Sequence, residues 1–136
     1  MNNNVMNPEL EKMIAEEILA NKGEIVLDAD DVQKLRDSSD FIDGMAVDGK
    51  LNDLGKLSDQ TYRKLKDAHP EKRFTNLLLK MRVSESSMLM MEQMEPLLDF
   101  FQTFDEDFAI LWGVETNAQI ADELRLVMLC GFKEKG

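Results

Sequence analysis

One cysteine, one histidine and three prolines stand among 136 residues. A lone thiol cannot close an internal disulfide. Cys130 lies inside the apolar run 124–132, where a thiol serves as a small core residue rather than a nucleophile. His69 stands beside Pro70 with no acid–base partner near it in sequence, so it reads as a surface residue. The aspartates from Asp37 to Asp53 miss the alternating one-three-five calcium pattern and have no Glu at the twelfth place, which excludes an EF-hand. The seven glycines are scattered, so no glycine-rich run is present to cradle phosphates with backbone N–H groups. No catalytic residue, metal site or cofactor is expected.

Long apolar runs are also missing. None approaches the roughly 20 residues that span a bilayer, and the start M-N-N-N-V-M-N-P lacks a basic segment followed by an apolar one. A cytoplasmic location is expected. Positive charge is scarce: 16 bases against 27 acids give a formal charge of −11. Such a surface repels phosphate backbones and anionic lipid heads, so neither nucleic acid nor membrane is an expected partner.

What remains is 43% apolar, enough for one core. Two short apolar runs, 108–114 and 124–132, flank a polar connector and read as buried strands. With the connector at 117–123 they are expected to form a hairpin with a wide loop. In the second run Leu124, Leu126, Met128 and Cys130 share one face, against Arg125, Val127 and Leu129. Residues 74–83 alternate likewise: Leu77, Leu79, Met81 and Val83 against Leu78, Lys80 and Arg82. Residues 41–47 read as a weaker strand, an edge or a bulge at Gly44.

Four helices are expected. The first starts at Asn7-Pro8-Glu9, with Asn7 as cap and Pro8 at the first helical position, and ends at Gly23. Asp28 to about Asp37 forms the second, where Asp28 caps and Asp30 and Asp31 favour the positive end of the dipole. Residues 48–56 read as a turn-rich loop, and the third helix runs from about 57 to 68. The fourth, 88–104, contains Pro96, which should bend or split it. Residues 1–6 are expected to be a disordered lead, 7–132 a single domain and 133–136 a tail. The fold class is α+β: a two-layer sandwich whose four-stranded mixed sheet carries two helices on one face, with the N-terminal helices packed beside it. The strand–helix–strand step from 74 to 115 should be a parallel, right-handed crossover.

Two stretches resemble a known family. Residues 88–132 are similar to the end of the C-terminal domain of FtsZ, the bacterial tubulin homologue. Its acidic helix is followed by I-I-F-G, a loop ending G-D-E, and V-R-V-T-V-I-A-T-G-F. Here stand Ile110-Leu111-Trp112-Gly113, Ala121-Asp122-Glu123, Leu124-Arg125-Leu126 and, one residue shorter, Cys130-Gly131-Phe132. Upstream, G-E-I-V-L-D-A-D-D-V from Gly23 resembles the family's G-L-I-N-x-D-x-x-D-V loop. In the family that loop enters the nucleotide site of the next subunit, and its acids position the attacking water.

The resemblance implies an FtsZ/tubulin C-terminal domain without the GTP-binding domain, neither binding nor hydrolysing GTP. Asp28 and Asp31 hold the two acid positions, while Val26 replaces the asparagine. Gly23, Val26, Leu27, Asp28 and Asp31 form the candidate partner-docking loop. Its expected partner is an FtsZ-like subunit whose filament the chain would cap or modulate. The ordinary alternative for Asp28 and Asp31 is helix capping. Two other functions stand beside docking: a self-associating structural or adaptor domain pairing through the Gly44 edge strand, and a small-ligand domain or enzyme, for which the chain offers little chemistry.

Overall fold

The computed structural model describes residues 8–19 and 27–134. Helix α1 (Pro8–Met13) continues into a π-helical turn, Ile14–Ile18, closed by Leu19 N–H donating to Ile14 O at 2.9 Å. Helix α2 (Ala29–Asp37) leads into strand β1 (Phe41–Gly49). A 3₁₀ turn (Leu51–Asp53) opens α3 (Leu54–Asp67), followed by β2 (Lys72–Ser84), α4 (Met91–Phe101), β3 (Ala109–Ala118) and β4 (Leu124–Glu134).

The four strands form one mixed sheet in the order β1-β4-β2-β3. Strand β4 is antiparallel to both β1 and β2, while β2 and β3 run parallel across the α4 connection. The expected hairpin between the last two strands is therefore overturned. Strand β2 lies between them, pairing Leu79 with Met128 on one side and with Trp112 on the other. The reason is burial: residues 76–81 of β2 are buried on both faces, and a strand without a wet face takes the centre of a sheet. The edges fall to β3 and to β1, the Gly44 strand.

Side-chain alternation divides two cores. Leu77, Leu79, Met81, Leu124, Leu126, Met128, Cys130 and Phe132 face α3 and α4, meeting Leu54, Leu65, Leu97 and Phe100. On the second face Ile42, Leu78, Val127 and Leu129 meet Leu10, Ile14 and Ile18 of the first helix and Leu27, Val32 and Leu35 around α2. The N-terminal helices thus lie across the second face, rather than merely beside the sheet. Their apolar stripes need a surface, and this face supplies one.

Three further expectations shift. The anticipated loop at 48–56 is largely helical. Leu51 and Leu54 are buried at helical spacing and start α3 three residues before position 57. Helix α4 starts at Met91 and runs unsplit through Pro96. The proline leaves Glu92 O without its helical donor, but both residues are exposed to solvent. Gly55 of α3 receives the ring: a Cβ there would stand 2.5 Å from Pro96 Cβ. Finally, β4 continues through Glu134 into residues expected to be tail, where Lys133 pairs with Arg73 and Glu134 with Lys72. The lead at 1–6 lies outside the described residues.

Candidate docking surface

On the second face, beyond the apolar contacts, one row of residues crosses all four strands. Asp48 of β1 is opposite Arg125 of β4, Arg125 opposite Arg82 of β2, and Arg82 opposite Glu115 of β3. The order of charges is minus, plus, plus, minus. Two arginines directly opposite one another repel, and the first helix resolves this by placing Glu17 over them. Arg82 Nη1 donates to Glu17 Oε1 at 2.9 Å and Arg125 Nη2 to Glu17 Oε2 at 3.1 Å; Arg125 Nε also donates to Glu17 Oε1. Outward, Arg125 Nη1 reaches Asp48 at 3.1 Å and Arg82 Nε reaches Glu115 at 3.1 Å.

Lys80 completes the group. Its ammonium, with the side chain only 3% exposed, donates to Ile18 O at 3.1 Å and lies 3.3 Å from Glu115 Oε1. A cation on the last carbonyls of a helix complements its dipole. Three cations and three carboxylates balance. Burial raises the Glu17 carboxyl, but Arg125 and Arg82 outweigh it and hold the group below its ordinary value. The Arg125 guanidinium is pushed up by its bond to Glu17. Burial pulls Lys80 down, and Glu115 only partly opposes this. The cluster clamps the helix that leads into the candidate loop.

Of that loop, Gly23 and Val26 lie outside the described residues. Leu27 is 3% exposed and packs in the second core. Asp28 and Asp31 form a reciprocal capping box: Asp31 N–H donates to Asp28 Oδ1 and Asp28 N–H to Asp31 Oδ2, both at 3.0 Å. The capping role is therefore real. Each carboxylate spends one oxygen on it; Asp28 is exposed and Asp31 half-buried, and neither pairs with a cation among the described residues. An Arg36–Glu11 pair at 2.8 Å ties α2 to α1.

Two residues differ from their sequence-based reading or add to it. His69 is half-buried rather than at the surface, with Nε2 2.8 Å from Asp43 Oδ2 and its ring against Phe41 and Phe132. Its partner comes from β1, 26 positions away, beyond the reach of local sequence. Cys130 is fully buried, and burial pushes its thiol well above the ordinary value, so it is a poor nucleophile. Among the described residues no group of three or more His, Cys, Asp and Glu side chains could hold a metal ion, and no helix is long and apolar enough to cross a membrane. The Lys80–Arg82–Arg125 cluster was missed because Lys80 and Arg82 of β2 and Arg125 of β4 look like ordinary charged positions until the two strands pair.

A mixed four-stranded sheet in this order, helix-covered on both faces, defines an α+β domain held to its first helix by a partly buried ionic row. No protein-family model and no curated protein matches the chain. Among solved structures it is similar to an empty FtsZ dimer from M. jannaschii, with a TM-score of 0.61 and 15% identity. The match covers 96% of this chain and 45% of that one. The chain has an FtsZ-like fold.

Proposed function

We propose that the chain is a non-enzymatic interaction module, the counterpart of an FtsZ C-terminal domain, which docks its 23–32 loop on an FtsZ-like subunit. The observation that carries this reading is the pair of carboxylates at the start of α2, Asp28 exposed and Asp31 half-buried, each with one oxygen outside the capping box, on a fold similar to FtsZ over 96% of the chain. The partly buried ionic clamp supports it, because a docking loop needs a fixed base. A polypeptide of these 136 residues presents the loop but no glycine-rich phosphate cradle. Docked at a filament end, it would therefore give the next subunit no nucleotide to close upon, and it would limit growth.

The test must separate docking from capping. Asp28→Asn with Asp31→Asn keeps both acceptor oxygens and removes both charges. The wild-type chain, added below stoichiometry to a polymerising FtsZ, should lower both the pelleted polymer and GTP turnover. The double variant should lose that effect while staying folded, its stability falling only by the ~0.3–1 kcal/mol that each charge at a helix N-terminus contributes. Unchanged pelleting with wild type, or equal activity of the variant, overturns the proposal.

A further inference from the structure

Away from the clamp, an open apolar groove of about 510 Å³ runs between the segment entering α4 and the α4-side face of β3. Met88, Met91 and Met94 form one wall, and Trp112 and Val114 the floor. Large exposed apolar side chains concentrate here: Met88 is 73% exposed and Met91 74%, and Leu98, one turn beyond Met94 on the same stripe of α4, is 38% exposed. Such a patch marks a contact surface, and methionine lets it adapt to the shape it meets.

The charge around the groove selects the occupant. Between Arg82 and Arg125 the sequence has no Lys, Arg or His, yet ten acids. Glu92 and Glu95 follow Met91 and Met94 directly in α4, and Glu85 stands three residues before Met88; all three are exposed, and none pairs with a cation among the described residues. A second copy would bring the same acids against these, and anionic lipid or nucleic acid would be repelled. Trp112 and Val114 lie on the α4-side face of β3, and an occupant resting on a sheet face satisfies its own backbone, as a helix does. We infer that this groove receives a cationic amphipathic helix of a partner protein, its apolar stripe on the methionines and its Lys or Arg residues on Glu85, Glu92 and Glu95. This goes beyond the loop-docking reading and uses none of its residues.

Trp112 is the sole tryptophan and so reports on the groove. The probe is a synthetic Leu/Lys peptide with leucines at helical spacing, titrated against the full chain. Expected are a blue shift of Trp112 emission, a gain of helical signal, and weakening with added salt. Met88→Gln with Met91→Gln, both at exposed positions, should weaken binding about tenfold, or ~1.4 kcal/mol, while the unfolding midpoint stays within error. Five outcomes each overturn the inference. A Leu/Lys peptide scrambled to destroy the stripe, or a Leu/Glu helix, binds within twofold of the probe. The double variant binds as wild type does. The chain self-associates by light scattering in a way the double variant abolishes. Vesicles of anionic lipid shift Trp112 as the peptide does.

Discussion

Replacing Glu17 by Gln removes one charge and little else. The amide keeps the shape and an acceptor oxygen, but Arg82 and Arg125 remain opposite each other without the carboxylate between them. Breaking a buried ion pair costs ~3–5 kcal/mol. Here the Arg125 side chain is 30% exposed and that of Arg82 18%, and each retains a second carboxylate, Asp48 or Glu115. Solvent and those partners reduce the expected loss to about 2–3 kcal/mol at pH 7. With unfolding entropy near ~2.1 cal/mol/K per residue, a 136-residue domain then loses about 7–10 °C in Tm.

The pH dependence has a definite sign. Glu17 is held below its ordinary value of 4.5 in the folded chain. Its contribution is full above the unfolded pKa and disappears as pH falls through the lower, folded pKa. The stability gap between wild type and Glu17→Gln, read by urea unfolding, should therefore be constant near neutrality and close in acid below about pH 4.5. A gap under about 0.5 kcal/mol at pH 7, the size of an ordinary surface change, would refute the clamp. So would a gap that persists unchanged into acid while both proteins still fold.

Two further outcomes test the packing. Gly55→Ala brings a methyl 2.5 Å from Pro96 Cβ and 2.9 Å from its carbonyl carbon. Despite alanine's better helix propensity it should cost ~1–3 kcal/mol in denaturant titration, and a stabilised variant would mean that α3 and α4 do not cross so closely. Cys130, buried with its thiol pushed up, should react with a disulfide reagent at pH 8 at least ~10³-fold more slowly than in urea, since exposure requires opening the core. Similar rates in the two conditions would contradict its place in β4.

The faces of the central strands were legible residue by residue. Alternation at 77–83 and 124–130 assigned each side chain to one side of a sheet, because the side-chain period of a strand is fixed by covalent geometry. The start of α2 was equally legible, since a capping box is closed within four residues. Strand order was not. The last two strands look like a hairpin by sequence proximity, yet β2 separates them, because its two apolar faces need cover more than the connector needs to be short. The ionic row was invisible for the same reason: Arg82 and Arg125 become neighbours only through β2–β4 pairing, and Glu17 reaches them from the other end of the chain. Local sequence determined which elements form and which sides they bury. Only the folded sheet decided which charges meet, because Coulomb attraction and pairing act through space between residues that the chain keeps far apart.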